Sequence, residues 1–531
     1  MPYLFVNGVT LKQVIIVLVL CLLNAPALAG GQFSLQHHPI STTVAAAQDA
    51  FDEGLTLLYS YNRAASYKAF ERAAKADPHC AMCWWGMGIA QGSNVNTTAD
   101  SQSQKAAYDD VVDAKTLEPY ASDEEKAYIE ALAARYSSDP GRDLRALAVA
   151  YHAAMAGLVA RYPDDLDAAT LYAESGLELH PWKWFTSDGA PVEGTNEVIA
   201  TLESVMRRDP LHIGANHFYI HAVEESRHPE RALISAGRLD AMHFEDAAAH
   251  LVHMPAHIYM RTGNYDKATS SNEHATAHDR AYLHMGPDDS EASGYYNHNL
   301  TMLVSGYEME GDSADAARIS KQLADQQDVV PVTYDALRFH RWDELLSMPK
   351  PQENGRGMRT VMWHFGRGMA LVSRKQFDAV APERDAVHQA TTSVHFFAQA
   401  GSNNSSFSLI HMAQDVLDAA VERARGDSAK EIARLQSAVA TQDRLVYTEP
   451  PDWYFPVREA LGGALLRRGE SARAESVFRD DLARNPKNPR SLFGLAAALQ
   501  AQGKSADALE VTRQFDDAWK HADIKLSVND L

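Results

Sequence analysis

At 531 residues the chain exceeds what one compact core accommodates, so it is either several domains or one extended repeat array. Its content of 46% hydrophobic and 22% charged residues, with alanine runs at 45–47, 247–249 and 496–498, favours folded helix over disorder. A formal net charge of −21 without a Lys/Arg cluster argues against nucleic acid as a partner and reads as a device for solubility.

Residues 14–23 form an apolar run that is too short to span a bilayer and is followed by Ala27-Leu28-Ala29, a small-residue cleavage signature. Lys12 is the only charge ahead of it. Residues 1–29 are therefore expected to be a signal peptide cleaved after Ala29, leaving a periplasmic or secreted chain. Leu20 stands before Cys21 where a lipid-anchor signal wants a small residue, so no membrane anchor is expected after cleavage.

The mature chain keeps only Cys80 and Cys83. An oxidising compartment favours a local disulfide between them. Free core thiols and a metal or redox role are the other two readings, the last lacking a second Cys pair and a βαβ context. Just beyond, Gly86-x-Gly88-x-x-x-Gly92 reads as close helix packing rather than a nucleotide loop. Stretches 92–104, 180–194 and 328–357 carry Pro, Gly, Asn and Trp without helical period, and are expected to be long inter-helix insertions. Such loops often carry function.

In the middle of the chain, His217 and His221 stand four apart, as do His253 and His257, so each pair shares one helical face. At the C-terminal end Gly469 and Gly503 lie 34 residues apart, each followed at the same offset by Ala474 and Ala508. The first of these units reads Leu461-Gly462-x-x-Leu465, Gly469, Ala474, Phe478 and Pro486. Small residues admit a neighbouring helix, large ones fill the gap between repeats, and Pro opens the next helix.

These anchors resemble the tetratricopeptide repeat (TPR) family. The same register fits Gly54, Phe70, Ala73 and Pro78, then Trp84 and Gly88, then Tyr259, Gly263, Tyr265 and Ala268, then Tyr307, Gly311 and Ala316. The blocks 214–224 and 253–259, with 77–88 and His180-Pro181-Trp182, further resemble a group of bacterial secreted TPR proteins, which as a group carries no known activity. The resemblance implies an all-α, TPR-type α-solenoid of stacked helix-turn-helix repeats with long inter-repeat insertions. Its expected divisions are N-terminal repeats over 30–180, histidine-rich central repeats over 181–320, irregular helical repeats over 321–440 and C-terminal repeats over 441–531.

In the TPR family, the second, fifth, ninth, twelfth and thirteenth positions of each repeat face a concave groove. By that resemblance His217, His221 and Glu224 face the groove from one repeat, and His250, His253, His257 and Arg261 from the next. Glu174 faces it one repeat earlier and His298 one repeat later. Imidazole is the commonest ligand of zinc, copper and iron. His217, His221, His253 and His257 are therefore expected to hold one divalent transition metal, with Glu174 and Glu224 as nearby carboxylates and Glu224 as general base. Asn216, Arg261, Trp182, His250 and His298 are expected to contact a ligand. A hydrogen-bonded polar lining and a site for an acidic or aromatic ligand are the metal-free alternatives.

No His-Glu-x-x-His, Gly-x-Ser-x-Gly or P-loop motif is present. Three functions follow: a scaffold binding a peptide, protein or small molecule in its groove beside a metal, a hydrolase- or oxidase-type metalloenzyme, or a metal-free protein interaction scaffold. The last repeats, whose groove positions carry Phe493 and Ala497, are expected to be structural.

Overall fold

The structure is a computed structural model that describes residues 33–139, 141–186, 189–286, 289–325, 328–352, 357–390 and 404–531. The signal-peptide expectation for 1–29 lies outside the described residues. From the N-terminal side come α1 (Ala45–Tyr59), α2 (Arg63–Ala76), α3 (Ala81–Ala90), α4 (Ser101–Thr116), α5 (Asp123–Ala133), α6 (Leu144–Arg161), α7 (Leu166–Leu177) and α8 (Thr195–Arg208). The centre holds α9 (Ile213–Glu224), α10 (Leu233–Asp240), α11 (Ala249–His253), α12 (Pro255–Arg261), α13 (Tyr265–His284), α14 (Ser290–Glu310) and α15 (Ser313–Asp325). Next are α16 (Val329–Arg338), α17 (Trp342–Ser347), α18 (Met358–Ser373), α19 (Phe377–Ala390), α20 (Ser406–Arg425) and α21 (Ser428–Gln442). The C-terminal repeats are α22 (Val457–Arg467), α23 (Ser471–Arg484), α24 (Pro489–Ala501) and α25 (Ser505–Ala518).

Each helix packs chiefly on its neighbours in sequence, which makes the chain an all-α, TPR-type solenoid. No β-strand forms among the described residues, and no helix there is long and apolar enough to cross a membrane. The repeat chemistry acts as the sequence requires. Phe70 of α2 lies over Gly54 of α1 and Gly86 of α3, and Phe478 of α23 repeats the arrangement over Gly462 and Gly494. Any side chain at those glycines would occupy the phenyl ring's place. Cys80 and Cys83 form a disulfide at the start of α3.

The insertion expected over 328–357 is instead mostly helical, because α16 and α17 fall within it. Pro331 sits in the first turn of α16, where a missing N–H costs nothing, and Asp328 caps that helix by accepting from the Val330 amide. Among the described residues, the stretch between α3 and α4 and that between α7 and α8 are irregular apart from one isolated bridge between Phe185 and Pro191.

The solenoid turns back on itself. Tyr265 donates to the Pro486 carbonyl at 3.0 Å, and the Asp523 carboxylate accepts from the amides of Ser313 and Ala314 at 2.9 and 3.0 Å. Buried Arg338 pairs with Glu459. The C-terminal repeats thereby pack on the central ones, and the segment between α21 and α22 brings Tyr447 to Glu224 of α9 and Glu449 to His257 of α12.

Candidate metal centre

Helix α9 presents His217, His221 and Glu224 on one face. Its first turn is capped by His212, whose Nδ1 accepts from the Ala215 amide at 3.2 Å, and Gly214 lets the helix lie directly against the Tyr59 ring. Helices α11 and α12 continue one path although Pro255 removes a backbone donor between them. Met254 stays helical, at φ −52° and ψ −36°, so His250, His253 and His257 still point the same way. His298 arrives from α14.

All six imidazoles converge in two groups whose donor atoms lie within 4.8 Å of one another: His217, His221 and His250, then His253, His257 and His298. The Nε2 atom of His253 stands 2.6 Å from that of His257 and 3.1 Å from that of His298. Three nitrogens around one tetrahedral ion at about 2.0–2.1 Å stand roughly 3.3 Å apart, so the His253–His298 pair is near that spacing and the His253–His257 pair is well inside it, at hydrogen-bond distance.

The outer faces of the rings fix their tautomers. His217 donates from Nδ1 to the Tyr59 carbonyl at 2.6 Å, and His253 to the Asn272 side-chain oxygen at 2.6 Å. Asn272 is itself oriented, since its amide donates to the Ala268 carbonyl. His221 and His257 donate from Nδ1 to the two oxygens of Glu224, at 2.8 and 2.6 Å, and His257 also meets Glu449. With the proton held at Nδ1, the Nε2 lone pairs of His217, His221 and His253 face inward, the arrangement found behind metal-bound histidines, and that of His253 accepts from His257 Nε2.

Burial drives His221 down to about 3 and His298 to about 4, and holds His217, His250 and His253 well below the ordinary imidazole value. For His257 burial lowers the value, but Glu449 and Glu224 outweigh it and raise it to about 10. Nε2 of His217, Nε2 of His221 and both nitrogens of His250 are buried without a hydrogen-bond partner among the described residues. Each such group costs about 1–3 kcal/mol.

Four of the six rings, those of His221, His250, His257 and His298, line a cavity of about 810 Å³. Trp182, Tyr295, Tyr447 and Tyr454 supply aromatic wall. Trp182 stands edge-on to His221 at 5.5 Å between ring centres, with a left-handed φ of 57°. Arg63 is engaged with Glu291 at 3.0 Å, and Asn96 and Thr97 from the α3–α4 segment complete that rim. Two of the irregular stretches thus reach the cavity.

The remaining expected site residues are placed differently. Glu174 shares a hydrogen bond with Glu178 beside Arg135, and burial raises its value well above the carboxylate range. No hydrogen bond or ion pair joins it to an imidazole among the described residues. Glu224 is fully buried with both oxygens committed to imidazoles, and it also accepts from Tyr447 at 3.2 Å, so it orients rings rather than facing a substrate. Asn216 secures the start of α9 through the Pro210 and His212 carbonyls. Arg261 donates to the carbonyls of Glu224 and Ser226 and lies over the Tyr447 ring.

Asn272, Tyr295, Tyr447 and Glu449 also belong to the site, although no sequence motif marks them. Tyr447 meets Glu224 across 223 residues, and only the folding back of the chain joins them. The one local signal is Pro450-Pro451 after Glu449, which marks an extended, poorly helical segment.

Fold and site together define the class, a TPR-type α-solenoid with a histidine-lined cavity in its central repeats. No family model and no curated protein matches the chain. Among solved structures, the human IFIT1 dimer with PPP-AAAA is similar at 12% identity and a TM-score of 0.32, over 91% of this chain and 95% of that one. Naa15/Naa10 bound to HypK-THB is similar at 14% identity and a TM-score of 0.21, over 90% of this chain and 72% of that one.

Proposed function

We propose that the chain is an exported metalloprotein in which His253, His257 and His298 hold one transition metal and present it to a small molecule in the adjoining cavity. The observation that carries this reading is the approach of the His257 and His298 Nε2 atoms to that of His253, at 2.6 and 3.1 Å, while the outer nitrogens of His253 and His257 are tied to acceptors. One lone pair on His253 can accept one proton, not two, whereas an ion satisfies all three nitrogens at once. Three protein nitrogens leave a coordination position open, the pattern of catalytic rather than structural sites. Water bound there would be acidified by the metal. Glu449 is the carboxylate placed to serve that reaction, since it lines the cavity and Glu224 does not. Export is supported by the apolar run at 14–23, by Ala27-Leu28-Ala29 and by the Cys80–Cys83 disulfide.

The test is elemental analysis of protein purified from its own compartment, beside the His257→Ala and His298→Ala variants. A transition metal at one ion per chain or more, reduced in both folded variants, is the expected result. A metal-free wild type that binds zinc and copper no better than the variants would leave the metal-free interaction scaffold.

A further inference from the structure

The second triad is as complete as the first, and it lies against it. Within the triads, ring centres stand 4.5–6.0 Å apart; between them, His221 to His257 and His250 to His253 are each 5.8 Å. The rings of the two triads therefore pack against one another. One carboxylate joins the groups, because Glu224 holds His221 of one triad with Oε1 and His257 of the other with Oε2.

The inner nitrogens of the second triad are also the least satisfied groups nearby. His217 and His221 have Nδ1 tied and Nε2 unpartnered, and His250 has neither nitrogen partnered, although all three rings are buried. A metal-free hydrogen-bond network would pair at least some of these nitrogens with one another.

Building on the proposed site at His253, His257 and His298, we propose a second transition-metal site at His217, His221 and His250, so that the central repeats hold a dinuclear, all-imidazole centre. With facing rings of the two triads 5.8 Å apart between centres, two such ions would be neighbours able to share one exogenous oxygen ligand, as in two-metal sites at about 3.5–4 Å. Neutral nitrogen donors without thiolate select copper, zinc or iron over magnesium and calcium. Glu224 and Glu449 supply the negative charge that two buried cations require. Both ions face the same cavity, through His221 and His250 on one side and His257 and His298 on the other.

The test uses the full mature chain, stripped of metal and titrated with Cu(II). Binding is followed by equilibrium dialysis, and the electron paramagnetic resonance signal is integrated at each step. The expected wild-type result is two ions per chain, with a signal that grows over the first equivalent and falls over the second as the spins couple. His250→Phe keeps an aromatic ring, slightly larger than imidazole, and removes only unpartnered nitrogens, so the folded variant should bind a single ion and keep the full signal. His217→Ala should also bind one. Saturation at one ion in wild type, two ions with undiminished signal, or two ions retained in His250→Phe would each overturn the dinuclear centre. No bound copper at all would instead overturn the site at His253, His257 and His298 on which it rests.

Discussion

Four of the six imidazoles are oriented by what stands behind them. Glu224 is the residue on which this depends most, since it anchors one ring from each triad. In Glu224→Gln one anchoring oxygen becomes an NH2 donor that faces an N–H, and one ring loses its orientation. Metal affinity, measured by competition with a chelator, should fall roughly 10–100-fold while the helical circular dichroism is kept. Unchanged affinity would mean that the carboxylate does not position the rings. At this scale the histidines were legible in the sequence because spacing of four on a helix is a local property. The division of labour among them was not. The four histidines expected to share one ion fall into two groups, and His250 and His298, expected as ligand contacts, complete those groups. Spacing along one helix says which rings share a face, but not which ring of the next helix each will meet.

The helices themselves followed from small and large residues in the repeat register. The failure was at 328–357, where Pro and Gly suggested irregular chain, yet α16 and α17 form because Pro331 falls in a first turn. Turn glycines carry a second duty where the chain folds back. Gly263 ends α12 with φ +70°, and a β-carbon there would also overlap the Pro486 carbonyl of the C-terminal repeats. Gly469 has φ +81° with nothing within 4 Å. Gly469→Ala should therefore cost only the backbone term of about 1–2 kcal/mol. Gly263→Ala should cost clearly more in urea unfolding, because the opposing atom is backbone and cannot swing away. Equal losses in the two variants would contradict the close approach of central and C-terminal repeats.

Over the whole molecule, the site exists because the solenoid closes. The sequence assigned the last repeats a purely structural role, yet the segment just before them carries Tyr447 and Glu449 onto α9 and α12. Nothing local announces a contact across 223 residues, which is why the central repeats were legible and their cover was not. A metal held by the central repeats is detected by anomalous diffraction from crystals of the protein, recorded on either side of the metal absorption edge. An anomalous peak is expected about 2.0–2.1 Å from Nε2 of His253, His257 and His298. Crystals grown with metal in excess that show no peak there, with His257 donating directly to His253, would contradict it.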